Sequence, residues 1–263
     1  MGSTVNTERH GKVMLIELAR PEAMNAVDPI MKRELPAALA EAGRDYEIGA
    51  VVLTAAGSRA FCTGSDLKAG SGSDDPSIRR TARSLLYDYQ PVLDLITRMD
   101  KPVIAAVNGA AAGVGMSMVL ASDLVVMSSG SYLMSPFMNI GLVPDGGAAW
   151  FLIRKLGHAR GFEAIAEAQK LSAQQCLDYG LVNRVVEPEQ VRANALEWAT
   201  QLAARAPVAM ALSKRLARLS QTTGLAEYLA LEAEMQTLCA ATQDAREAIA
   251  AFAEKRTPNF TGR

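Results

Sequence analysis

The segment NGAAAGVG at residues 108–115 follows an apolar run, Val103–Val107, and precedes a short helical stretch ending near Ala121. Its chemistry is that of exposed backbone. The first N–H groups of a helix have no intrahelical acceptor, and the helix dipole adds positive potential there. Glycine lets a ligand oxygen come close to those groups. A dinucleotide site opens in the same way, but its G-x-G-x-x-G fingerprint fails here, because Gly113 and Gly115 fit and the third position is Met118. A smaller anion suits the turn better, such as the oxyanion of a thioester enolate. A tight strand-to-helix turn without a ligand is the plain alternative.

Two other segments carry groups able to work beside such a turn. Residues 60–68 (AFCTGSDLK) follow the apolar run 50–54, and residues 140–147 (IGLVPDGG) hold one carboxylate, Asp145. Its apolar neighbours in sequence, Leu142, Val143 and Trp150, favour a raised pKa and hence a general base. Asp is also a favoured cap for the helix expected to begin near Gly147. Cys62 reads as a small buried hydrophobe. Tyr87 and Tyr89 either line a site or pack in the core, and Arg79, Arg80 and Arg83 read as a solvated basic face.

The elements that must hold these groups follow from periodicity. Residues 12–18 and 50–54, Val103–Val107 and residues 124–127 read as strands, and 30–43, 79–99, 147–156 and 159–169 as helices. Residues 69–77 (AGSGSDDPS) read as a mobile loop. Beyond a last strand at 183–186, residues 190–205, 208–221 and 225–255 are Ala/Leu-rich and helical. The pattern is an α/β core with a helical C-terminal extension.

Composition narrows the function. Lys+Arg 27 against Asp+Glu 28 gives a net charge of −1 over 263 residues, without the basic stripe that nucleic-acid binding needs. Cys62, Cys176 and Cys239 lie far apart with no Cys-x-x-Cys pair, which argues against disulfides and a zinc site. The longest apolar run, at 102–107, is too short for a bilayer, and the first residues lack a signal-peptide pattern. The expectation is a cytoplasmic protein with no membrane or nucleic-acid partner.

LARPEAMNAV at residues 18–27, AFCTGSDLK, NGAAAGVG and IGLVPDGG, in this order, resemble the crotonase superfamily, also called the enoyl-CoA hydratase/isomerase family. GLVNRVV at 180–186 and AFAEKRTPNF at 251–260 extend the likeness over nearly the whole chain. The resemblance implies a ββα spiral core over residues 1–190 that binds acyl-CoA. It implies a helical region over 191–263 for oligomerisation and for covering the CoA site, in a homotrimer or hexamer. Coenzyme A would be part of the substrate, with no separate cofactor and no metal. The enolate oxygen would be held by the backbone N–H groups of Ser65 and Val114. CoA contacts would fall on Glu22, Ala23, Met24, Ala26, Thr63, Asp66, Leu67 and Lys68.

The departures from the family pattern concern the reaction. Hydratases of this family use two glutamates, and their positions are Ser117 and Phe137 here, Phe137 then serving as substrate wall. Neither side chain orients water or protonates a carbon. Asp145 instead resembles the single aspartate of the isomerase branch, including ring-epoxide isomerases. The aryl-CoA dehalogenase branch also uses this aspartate, but needs a histidine and a tryptophan that His10, His158 and Phe137 do not supply. The expected activity is therefore a double-bond shift in an enoyl-CoA. Hydration by a non-standard acid–base pair, or acyl-CoA binding without catalysis, are the alternatives.

Overall fold

A computed structural model describes residues 2–66 and 82–263. Leu67, Lys68, the loop expected at 69–77, Arg79 and Arg80 lie outside the described residues. Among the described residues, ten strands form two sheets. The larger contains β1 (Val5–His10), β2 (Val13–Leu18), β3 (Ala50–Ala55), β5 (Val103–Val107), β7 (Leu124–Ser128) and β10 (Arg184–Val186), in the order β1-β2-β3-β5-β7-β10. All its neighbours pair in parallel except β1 with β2. The smaller sheet has the order β4-β6-β8-β9, built from β4 (Ala60–Cys62), β6 (Ala110–Ala112), β8 (Tyr132–Met134) and β9 (Lys170–Ser172).

Nine α-helices complete the described residues: α1 (Met31–Arg44), α2 (Gln90–Arg98), α3 (Val114–Ala121), α4 (Ala148–Ala166), α5 (Ala173–Asp178), α6 (Val191–Ala203), α7 (Pro207–Leu219), α8 (Leu225–Ala240) and α9 (Gln243–Glu254). The chain winds as a spiral. Strands β3, β5 and β7 of the large sheet are each followed by a short strand of the small sheet, β4, β6 and β8, and then by helix. Each turn therefore delivers one short strand and its outgoing loop to the same end of the molecule.

The apolar runs explain the layering. Every residue of β3 and β5 is buried, as expected for parallel strands covered on both faces. Val51, Leu53, Val103, Ala105 and Val107 face a core shared with α1, α2 and α3. Val52, Ile104, Ala106 and Val126 face the other way, against Val191, Ala195, Ala199 and Ala203 of α6. Helix α3 is buried at every residue and carries its glycine-rich start into the middle of the protein.

Four sequence expectations need correction. Residues 108–115 are not a plain turn: they contain β6, and α3 begins at Val114. Residues 225–255 form two helices, because Thr242 caps a new one by accepting from the Ala245 N–H at 3.1 Å. The helix expected at 79–99 contains a π-helical turn, Leu85–Tyr89, before α2. The two helices expected at 147–156 and 159–169 run as one element, α4, broken at Gly157, whose φ of 77° no helix tolerates. His158 lies just past that break and stacks on Phe162.

Candidate active site

The site is built around two glycines with left-handed backbone. Gly64 has φ 99° and Gly113 has φ 56°, and each precedes one expected donor, Ser65 and Val114. They lie back to back: a Cβ on Gly113 would sit 3.4 Å from the Gly64 Cα. The two peptides that carry the Ser65 and Val114 N–H groups therefore start from adjoining glycines. Among the described residues neither the Ser65 nor the Val114 N–H has a backbone acceptor, while Gly113 N–H, Asp66 N–H and the Gly64 carbonyl are committed. Gly113 N–H donates to the Met134 carbonyl at 3.2 Å, and Val27 N–H donates to the Gly64 carbonyl at 2.8 Å. Gly115 completes the packing, since a Cβ there would fall 2.2 Å from the Cys62 carbonyl oxygen. Cys62 itself is fully buried and its thiol is pushed up to about 12 by desolvation, which makes it an inert packing residue.

The residues matched to CoA contacts gather beside this pair. Pro21–Ala23 form a 3-10 turn, followed by Met24 and Asn25 in left-handed conformation. The Thr63 hydroxyl donates to the Met24 carbonyl at 3.3 Å, so Ala23, Met24 and Ala26 lie against Thr63 and Asp66. Glu22 stands exposed on the outer side of the turn. Arg20 holds the two segments together. Its guanidinium reaches Asp66 at 3.0 Å, Asp28 at 3.4 Å and the Ala26 carbonyl at 2.6 Å. Asn25 adds bonds from its amide to the Ala56 and Ala60 carbonyls at 3.0 and 2.8 Å. The Asp66 carboxylate is thus engaged in an anchor within the protein.

Asp145 arrives from the third side. The turn after it is Gly146 (φ 56°) and Gly147 (φ 75°). A Cβ on Gly146 would lie 3.3 Å from Val114 Cγ2 and 3.4 Å from Ser117 Oγ. The Asp145 turn therefore rests directly on the first turn of α3. Its carboxyl does not cap α4: the cap position is Gly147, without a side-chain bond, and Asp145 contributes only its backbone carbonyl to Ala148 N–H. Burial holds the Asp145 carboxyl above its usual value of 3.8. Leu142, Val143 and Trp150 are not the cause, since all three are at least half exposed.

Ser117 is fully buried on α3, with its hydroxyl toward the Gly113 carbonyl at 3.4 Å. Phe137 is buried in a 3-10 turn, Pro136–Ile140, with its ring tip 3.8 Å from where a Gly113 Cβ would stand. An apolar wall thus occupies one position where a glutamate was sought. The two tyrosines separate: Tyr87 is 72% exposed and Tyr89 only 5%. The Tyr89 hydroxyl is hydrogen-bonded to Ser65 Oγ. Burial pushes its phenol up, the Ser65 bond and the Lys32 ammonium pull it down, and the Asp145 carboxylate adds to the rise.

Over residues 8–263 the chain matches the family model described as enoyl-CoA hydratase/isomerase. The chain belongs to the enoyl-CoA hydratase/isomerase family. A probable enoyl-CoA hydratase of Rhodobacter capsulatus is 38% identical over 260 residues, spanning 99% of this chain and 98% of that protein. The 1,2-epoxyphenylacetyl-CoA isomerase of Escherichia coli is 34% identical over 251 residues, 95% of each chain. The solved structure of an enoyl-CoA hydratase from Polaromonas sp. JS666 superposes with a TM-score of 0.93 at 35% identity, covering 98% of this chain and 99% of that one. The fold is the crotonase fold of these enzymes, and the chain is an acyl-CoA enzyme of this family.

Within this family member the structure brings together Ser65, Val114, Asp145 and Phe137, and separately Ala23, Met24, Ala26, Thr63 and Asp66. Sequence reading passed over Arg20 and Asn25, although both lie in the quoted block LARPEAMNAV. A cavity of about 1180 Å³, lined by residues including Leu93, Trp150, Met210 and Lys214, lies between α2, α4 and α7, and Ser65, Val114, Asp145 and Phe137 do not border it. Among the described residues no helix is long and apolar enough to cross a membrane, and no cluster of three His, Cys, Asp or Glu side chains has metal-site geometry.

Proposed function

We propose that the chain is an enoyl-CoA isomerase that moves a double bond from C3 to C2 with Asp145 as its single base. The observation that carries this reading is a half-buried carboxyl that makes no side-chain hydrogen bond among the described residues. It is set against the first turn of α3, beside the two N–H groups that lack a backbone acceptor there. The thioester oxygen of a 3-enoyl-CoA would rest on the Ser65 and Val114 N–H groups. Asp145 takes the proton from C2, and the electron pair moves onto the thioester oxygen, leaving a dienolate. Asp145 returns the same proton to C4, the C3–C4 double bond becomes single, and C2–C3 becomes double. Losing one such donor costs about 2.7–4 kcal/mol in comparable sites. The thioester supplies the acidity at C2, so these steps use no metal or redox cofactor, and coenzyme A enters as part of the substrate.

Hydration is a second reading, favoured by the names of relatives such as the short-chain-enoyl-CoA hydratase of Clostridium acetobutylicum. With Ser117 and Phe137 at the two glutamate positions, Asp145 is the carboxylate that would have to orient the water. The two are separated by incubating the protein with cis-3- and trans-2-enoyl-CoA of several chain lengths. Absorbance of the conjugated thioester should rise with the first and hold with the second for an isomerase. A fall with the second marks a hydratase, and no change with either overturns both.

The assembly we propose is a homotrimer or hexamer in the cytoplasm. On α8 and α9, Leu225, Leu229, Leu238, Ile249 and Phe252 are all more than half exposed, which is more apolar surface than a lone helical pair leaves uncovered.

A further inference from the structure

The two enolate donors are not equally well held. Val114 is 4% exposed and sits in the fully buried helix α3. Ser65 is exposed and follows Gly64, whose backbone has no side chain to restrict it. Among the described residues its main-chain restraint comes from Val27, through the Gly64 carbonyl at 2.8 Å and the Asp66 N–H at 3.0 Å. The other restraint is the bond between Ser65 Oγ and the Tyr89 hydroxyl.

Tyr89 has more support than a packing residue requires. The Lys32 ammonium lies 4.8 Å from its ring centre and is fixed by Ser84 Oγ at 2.8 Å and Asp88 at 3.1 Å. The backbone beneath it is a π-helical turn, in which the Gln90 N–H reaches back five residues to the Leu85 carbonyl. Such turns are rare and concentrate at functional sites. The one extra residue shifts the phase of the helix beyond it by about 100°, and Tyr89, at the end of the turn, is buried while Tyr87 is exposed. The same phenol lies within the electrostatic reach of Asp145.

We propose that Tyr89 is a positioning residue for the enolate: through Ser65 Oγ it holds the Gly64–Ser65 peptide with its N–H aimed at the thioester oxygen. This rests on the reading of Ser65 and Val114 N–H as the oxyanion donors. It does not depend on whether the reaction is isomerisation or hydration.

The test is a double-mutant cycle of Tyr89→Phe and Ser65→Ala, which each remove the hydroxyl link and keep the backbone donor. The probe is cinnamoyl-CoA, whose absorbance shifts to the red when hydrogen bonds polarise its thioester carbonyl. Each single variant should lose about half or more of the wild-type red shift, and the double variant should lose no more than either. Turnover should fall about 10-fold in each, less than the 10²–10³-fold of losing a donor outright. The Kd of butyryl-CoA should change by less than about twofold, because no CoA contact is removed. Ser65→Ala leaves the Tyr89 ring in place and keeps the test usable if Tyr89→Phe unfolds. A red shift that survives in both variants, or losses that add in the double, overturns the inference. Wild-type protein that binds the probe without a red shift overturns the donor pair and with it both proposals. A normal red shift without turnover of any enoyl-CoA overturns the isomerase reading alone.

Discussion

Replacing Asp145 with asparagine separates chemistry from architecture at this site. The carboxyl makes no side-chain hydrogen bond among the described residues, and the Gly146 contacts with Val114 and Ser117 belong to the backbone turn. Asparagine has nearly the same shape, so no contact is lost and stability should change by less than about 1 kcal/mol at neutral pH. The sign can be fixed. Burial raises the Asp145 pKa in the folded state above 3.8. The group's contribution to stability is therefore fully present below the unfolded pKa and lost as pH rises through the folded value. An asparagine side chain does not titrate, so Asp145→Asn should melt slightly higher than wild type at pH 7, and the gain should vanish below about pH 4. Activity moves the other way. Loss of a positioned general base lowers turnover of a 3-enoyl-CoA by about 10²–10⁴-fold, or about 2.7–5.4 kcal/mol of barrier. Affinity for a saturated acyl-CoA should hold, because both N–H donors and the Arg20-anchored segment are untouched. In the wild type, kcat/KM should fall on the acid side with an apparent pKa above the ordinary aspartate value. Spectrophotometric turnover, titration calorimetry with butyryl-CoA and melting at pH 4 and 7 check the set. Wild-type turnover in the variant refutes the base assignment.

Arg20→Met removes the guanidinium that bridges two largely buried carboxylates, Asp28 and Asp66. It should cost on the order of 1.5–3 kcal/mol in urea unfolding, the worth of charged hydrogen bonds, and weaken acyl-CoA binding measurably. Gly115→Ala forces a Cβ to 2.2 Å from the Cys62 carbonyl and should abolish soluble folded protein, as judged by circular dichroism. Paired Ile249→Glu and Phe252→Glu substitutions on exposed α9 should leave the monomer fold intact and dissociate the assembly. Light scattering of wild type that shows only a 28.0 kDa species refutes the oligomer.

Much of the core was legible because its strands read without reference to anything distant. The runs AVVLT and VIAAV are apolar at nearly every position, which only a strand covered on both faces requires. The same holds for the glycine-rich start of α3. The three-residue strands β4, β6, β8 and β9 were invisible as separate elements, since pairing with one another, and not local propensity, makes them strands. β1 was missed for a related reason: VNTERH is mostly polar because it is an edge strand exposed at most positions.

At the site, the residue types in the chain determined which chemistry is open to this protein. Two glycine-preceded peptides can offer N–H groups, Asp145 is the one carboxylate of its block IGLVPDGG, and Ser117 and Phe137 cannot act as carboxylates. Only the tertiary structure decided how these parts meet. Arg20 and Asp66 are 46 residues apart and Ser65 and Tyr89 are 24 apart, and nothing local in either sequence marks a partner. Whether Asp145 caps a helix or stands free depended on which residue took the cap, and Gly147 took it. Which of Tyr87 and Tyr89 turned inward depended on which face of their helical turn packs against the body of the protein. Local sequence sets which groups a segment can present, whereas distances between segments are set by how the whole spiral packs.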